Sequence, residues 1–176
     1  MKKNVLVFGL ISGLIVTAMM VITSLMCYKT ESFEGNEILG YATMIVAFSF
    51  IFVAIKNYRD KYNGGVISFG RAFKIGLFVT LIAGTIYMLT WLVEYYLFIP
   101  DFMDRYCTHV INQAAAKGPA EVAKTTEQMN TMKELYKNPL FVILFTYLEI
   151  VPVGLLVTII CALILKRKRN TDIVYS

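Results

Sequence analysis

Two acidic side chains, Glu94 and Glu149, stand inside otherwise apolar stretches of the chain. Glu149 belongs to YLEIVPVG, residues 147–154, and Pro152 follows it by three positions. Carboxylates in apolar surroundings are rare, and by default they point to proton relays, ion paths or ligand counter-ions. Pro152 adds a second cue. It cannot donate to the carbonyl of Leu148, and its ring bends a helix. The freed carbonyl then needs a donor, and a protonated Glu149, Thr146, Tyr147 or a water is placed to serve. Two readings follow. One is a polar knot that stabilises a kink. The other is a proton- or ion-handling site built on Glu149, Glu94 and Pro152.

Other chemistry-bearing residues offer less. Cys27, Cys107 and Cys161 have no C-x-x-C spacing and no metal pattern. Cys161 reads as a small apolar filler. Cys27 and Cys107 fall on one side of the membrane and can pair only if their geometry allows it. His109 is the sole histidine, without a ligand cluster around it, so a surface role is expected rather than a metal site. No nucleophile–base pair, metal triad or cofactor signature is visible. The expectation is a non-enzymatic protein with no catalytic residues, no metal and no cofactor.

The elements that must position the two acids are plain. The chain has 176 residues, of which 57% are hydrophobic and 16% charged, against roughly 25% charged in an ordinary soluble domain. Its mean hydropathy is +0.63. Residues 5–28 and 38–55 carry no charge, 75–99 carry only Glu94, and 140–165 carry only Glu149. A hydrocarbon core of about 30 Å needs roughly 20 helical residues. The pattern predicts an all-α integral membrane bundle of four transmembrane helices, at about 5–28, 38–55, 72–99 and 139–165. Residues 1–170 form a single membrane domain, and 171–176 a short cytoplasmic tail. Lys2 and Lys3 resemble the start of a signal sequence, but the first run exceeds the usual 7–15 residues of a signal core, so a retained helix is expected.

Charge sets the orientation. Lys2 and Lys3 lie at the start, and Lys56, Arg59, Lys61, Arg71 and Lys74 between the second and third runs. Lys166, Arg167, Lys168 and Arg169 follow the fourth. The loop after the first run carries Glu31, Glu34 and Glu37 instead. The positive-inside bias places both termini and the middle loop in the cytoplasm. The net charge of +5 then follows from topology and calls for no nucleic-acid partner. The KRKR run reads as a stop-transfer cluster that attracts anionic lipid.

Residues 100–138 are too long for a simple connection. Asp101 is expected to cap a new helix with Phe102, Tyr106 and Val110 on its apolar face. Gly118-Pro119 breaks that helix, and a second follows with Val122, Met129, Met132 and Tyr136 as its stripe. Asn138 and Pro139 give the fourth long helix a start signal. The expected feature is an extracytoplasmic helical hairpin resting on the bundle or the membrane surface. Small residues recur every fourth position: Gly9, Gly13 and Thr17; Thr43 and Ala47; Ala72, Gly76, Thr80 and Gly84; Gly154, Thr158 and Ala162. Such stripes let helix backbones approach closely. Packing within one bundle is favoured over self-association, because every helix has one. Asn63-Gly64-Gly65 signals a turn.

In that frame Glu94 lies about 8 Å and Glu149 about 14 Å below the outer ends of their helices, so their depths can match within about 6 Å. No Lys or Arg lies at either depth. An ionised acid there costs about 2.5–3.5 kcal/mol even on the lenient scale. The expectation is a neutral, protonated Glu149 that faces the bundle.

FGLISG in the first helix, SFGRAFKIG before the third, YMLTW followed by PDFMDRY, and EIVPVGLLVTIICALILKRK at the end form one ordered series. From about Lys3 to Arg169 the chain resembles a family of four-helix membrane proteins catalogued as domain of unknown function 4199 and typical of Bacteroidota. The resemblance implies a bacterial inner-membrane protein and carries over no site residues. The expected partners are the lipid bilayer and a second copy or another membrane protein. The expected role is a structural or accessory membrane component; the alternative is a small transporter or proton/ion pathway using an intramembrane carboxylate.

Overall fold

In the computed structural model, residues 1–30 and 37–168 are described here. Glu31, Glu34, Arg169 and the 171–176 tail lie outside the described residues. The architecture is helical: α1 (Lys2–Thr30), α2 (Glu37–Tyr62), α3 (Phe69–Val93), α4 (Phe102–Ala114), α5 (Pro119–Tyr136) and α6 (Pro139–Leu165). A π-helical turn, Glu94–Phe98, continues α3. Four helices, of 29, 25, 30 and 27 residues, are long and apolar enough to cross a membrane, the third counted through Phe98. Their outward faces are apolar: Leu14, Leu97, Leu156 and Ile164 are each at least 60% exposed. A soluble protein does not leave such a surface to water, so the chain is a multi-pass membrane protein.

In lipid, close packing holds helices together. The central contact is α3 on α6. Gly76 faces Thr158, and Gly154 faces Thr80. The two threonine hydroxyls lie 3.5 Å apart in a fully buried position. A Cβ on Gly76 would lie 2.6 Å from Thr158 Cγ2, so the glycine sets the helix separation. Gly9 and Gly13 of α1 take Ile82 and Ile86 of α3 in the same way. The stripes are thus used within one chain.

One end of the bundle carries the basic residues, and it is tied more tightly than the sequence suggested. Helix α2 runs past Ile55 to Tyr62, and α3 starts at Phe69 rather than residue 72, with Ser68 as its N-cap. The α2 extension is an amphipathic last turn that the charge-free window could not include. Gly64 and Gly65 take positive φ, 61° and 78°, as a tight turn requires. Ile67 and Arg167 then pair as an antiparallel bridge, with N–H···O distances of 3.0 and 2.8 Å. Buried Asn4 donates to the Ala54 carbonyl at 2.8 Å and accepts from Asn57 at 2.6 Å, locking α1 to α2. Above this end, Ile51, Ile55, Ile75 and Val79 have no exposed surface and fill the basic half, and Phe48 and Ile150 are equally buried at mid-bundle.

The opposite end carries the α4–α5 hairpin, turned at Gly118 with φ 104°. Its buried contacts are shifted one position from those expected. Met103 and Cys107 are the buried residues of α4 in this cluster, with Phe102 and Tyr106 beside them. Met129, Met132 and Tyr136 of α5 complete the cluster around Tyr95. Asp101 takes the N-cap position of α4, but its side chain makes no capping bond. Asn138 does cap α6, accepting from Leu140 N at 3.0 Å.

Candidate intramembrane binding site

The hairpin half of the bundle is not filled. Helices α1, α2, α3 and α6 line an open-sided cavity of about 530 Å³ there, with residues of α4 and α5 above it. Its position follows from residue size. The glycine–threonine contacts draw α3 and α6 together in the basic half, whereas the hairpin half carries large side chains. These side chains meet as an aromatic ladder across four elements. Trp91 of α3 stands edge-on to Phe102 of α4 at 5.3 Å between centroids, and Phe102 stacks on Tyr106 at 6.2 Å. Tyr136 of α5 meets Tyr95 and Phe145, each at 5.8 Å. Ladder contacts of this kind contribute about 0.5–1.5 kcal/mol per pair beyond area burial. They hold the hairpin to the bundle and leave the space beneath it open. Ile22, Met26 and Leu39 line the cavity and are exposed, so they mark its rim.

Glu149 lines this cavity. It faces the bundle, yet it keeps accessible surface because it looks into open space rather than packed core. Tyr87 Oη donates to Glu149 Oε1 at 3.3 Å, a long bond. Glu94 has a different setting. It is 4% exposed, at the start of the π-helical turn. Ser24 Oγ lies 2.6 Å from its Oε1 and 2.8 Å from the Met20 carbonyl. A hydroxyl has a single proton, so Ser24 serves one of the two at a time. Among the described residues, the other carboxyl oxygen of Glu94 is buried without a partner. The two acids are therefore not a hydrogen-bonded pair. Each has its own donor, and Tyr87, Trp91 and Glu94 follow one another up the same face of α3 at i, i+4 and i+7.

The side chains expected to form a polar knot around Pro152 make their bonds elsewhere. Pro152 is exposed on the outer face of α6, which continues through it. Thr146 donates to the Val142 carbonyl at 2.7 Å, Tyr147 bonds Thr85 at 2.9 Å, and Glu149 bonds Tyr87. The three groups proposed to serve the Leu148 carbonyl thus have partners elsewhere, because the helix turns them toward α3 and their own preceding turn. Pro152 is apart from the site, and Glu149 belongs to it.

Tyr87, Trp91, Tyr106, Tyr136 and Ser24 complete the site; Tyr106 and Tyr136 were read only as apolar stripe residues of the hairpin, and the other three were not read as site residues. The signal available was the i+4, i+7 spacing of Tyr87, Trp91 and Glu94. Burial, and then the neighbouring Glu149, push the Tyr136 phenol up to about 12, so it stays neutral. Cys27, Cys107 and Cys161 are free thiols. Cys27 lines the cavity, while Cys107 is buried in the hairpin, 3.7 Å from the Met129 carbonyl. His109 lies 2.9 Å from Gln113 on α4. Among the described residues, no three His, Cys, Asp or Glu come together as a metal would need.

The model of a family described as "Protein of unknown function (DUF4199)" matches residues 7–167. No curated protein matches the chain, and no solved structure does. The matched span takes in α1 from Val7 onward, the other three long helices, the hairpin, and both intramembrane acids. The chain belongs to that family.

Proposed function

We propose that this member of the family is a non-enzymatic accessory component of the bacterial cytoplasmic membrane, and that it holds a small molecule in the cavity beneath its hairpin. One observation carries the reading: a cavity of about 530 Å³, walled by apolar and aromatic side chains, with one carboxylate directed into it. Binding sites for small molecules are concave, mostly apolar, about 300–1,000 Å³, and carry a few convergent polar groups. The positive-inside bias supports termini in the cytoplasm and the hairpin outside. The rim would then open toward the outer leaflet. The filled basic half favours holding over conduction. A transport or proton path through Glu149, the second reading, needs the Phe48–Ile51–Val79–Ile150 plug to separate. What speaks for it is two donor-held acids, Glu149 in the cavity and Glu94 in the π-helical turn outside its lining.

The test is native mass spectrometry of the tagged full chain, released gently from its own membrane. The reading expects a small-molecule adduct at one per chain, lost in Cys27→Trp, which fills the cavity from α1. A wild-type chain that carries only bulk phospholipid, in the same amount as Cys27→Trp, contradicts it.

A further inference from the structure

Resting on the reading of the cavity as a ligand site, we propose that its ligand is a lipophilic organic cation, with Glu149 as counter-ion and the Trp91, Tyr106 and Tyr136 rings around its charge.

The argument starts from the charge of the lining. Glu149 is the sole charged residue among those that line the cavity; no Lys, Arg or His is there among the described residues. An anionic ligand would meet the carboxylate with nothing to offset it. A neutral ligand would leave Glu149 in its protonated form and gain at most a hydrogen bond from it. A cation nearby favours the charged carboxylate and gains the ion pair. Glu149 also has capacity to receive one. A carboxylate accepts about four hydrogen bonds, and Tyr87 occupies one position with a 3.3 Å contact.

The walls favour the same charge. Aromatic faces carry the negative part of a quadrupole and attract cations, more strongly where water is excluded. This chain already uses that attraction at the hairpin end, where the Arg105 guanidinium lies 4.4 Å from the centroid of the Tyr28 ring. Tyr136 remains a neutral phenol, so its ring contributes a face without adding a competing charge.

The cation is organic rather than a metal ion. Hard metal ions take six or more oxygen ligands or keep their waters. The cavity offers a carboxylate and scattered hydroxyls among methionine and aromatic side chains. A soft, weakly hydrated cation with an apolar body suits both parts: the body meets Met19, Met20 and Phe145, and the charge meets Glu149.

The experiment compares two ions of one shape and opposite charge, tetraphenylphosphonium and tetraphenylborate, on the full chain in a neutral detergent. Trp91 is the chain's single tryptophan and lines the cavity, so its emission reports entry. The proposal expects saturable binding of the phosphonium at one per chain, with a change in Trp91 emission, and no saturable binding of the borate. It also expects Glu149→Gln to weaken the phosphonium by at least about tenfold, and Glu149→Asp to restore part of it. The wild-type comparison needs no variant, so it stands even if a variant misfolds. Equal saturable binding of both ions, indifferent to Glu149→Gln, overturns the cation and leaves the cavity reading intact. Preference for the borate overturns the cation as well. Saturable binding of neither ion overturns it too, and the mass-spectrometric adduct then decides the cavity reading separately.

Discussion

At Asp101 the backbone holds the N-cap position of α4 while the carboxylate turns to Tyr28, at 2.5 Å, and to Arg105, at 2.7 Å. The Tyr28 bond first, and the Arg105 bond second, hold the Asp101 carboxyl below the usual carboxylate range. A lowered folded-state value contributes stability above the unfolded value, about 3.9 for Asp, and loses it as pH falls through the folded value. Docking of α4 on α1 should therefore be unchanged from neutral pH to about 4 and loosen below it. Trp91 emission follows this, since Trp91 packs on Phe102, and Asp101→Asn should abolish the acid step. An unchanged step in that variant would assign it to other carboxylates. The same residue shows what sequence can and cannot give. An Asp after Pro100 marks a helix start, and it did so correctly. Its side chain's partner came from α1, 73 residues earlier, which no local pattern encodes. Glu149 was conspicuous for the same local reason, as a charge in an apolar run. That it faces a cavity depends on Trp91, Tyr106 and Tyr136 from three other elements.

At the scale of elements, the four long helices were legible because a membrane demands long apolar segments and leaves little choice. Their ends were less so. Helix α2 continues seven residues beyond Ile55, through Lys56 and Arg59, because polar residues at a helix end reach the interface without breaking the backbone. The Ile67–Arg167 bridge was hidden, since it joins a turn to a segment that reads as a stop-transfer cluster. The hairpin was visible in Gly118-Pro119 and Asn138-Pro139, but its buried face is centred on Met103 and Cys107 rather than on Phe102 and Tyr106. Large aromatic residues at the edge of a contact outweigh smaller ones at its centre when a stripe is judged by residue type alone. Orientation is read from charge, and it is testable at the same scale. In a background with all three native cysteines replaced, an impermeant thiol reagent applied to intact spheroplasts should label Lys117→Cys in the hairpin and spare Lys61→Cys in α2. The reverse pattern would invert the bundle.

For the whole molecule, the halves of the bundle differ in what they are built to do. The basic half has glycine–threonine contacts, a buried asparagine lock and a filled core. The hairpin half has an aromatic roof, a cavity, and an acid whose one hydrogen bond is long. A chain selected for stability alone would fill that space and remove that acid, since a half-satisfied polar pair in apolar surroundings is worth less than an apolar pair of the same shape. Sites kept for binding commonly hold stability below its optimum. The most direct measurement is therefore the thermal unfolding midpoint, in lipid nanodiscs, of the double variant Tyr87→Phe/Glu149→Leu, which replaces both partners by apolar groups of similar size. If Glu149 is present for a ligand, the double variant unfolds at the temperature of ligand-stripped wild type or above it, while it no longer binds the ligand. A midpoint lower than that of the stripped wild type by more than about 4 °C, on the order of 1 kcal/mol for a chain this long, would show that the pair holds the fold together and would contradict the account.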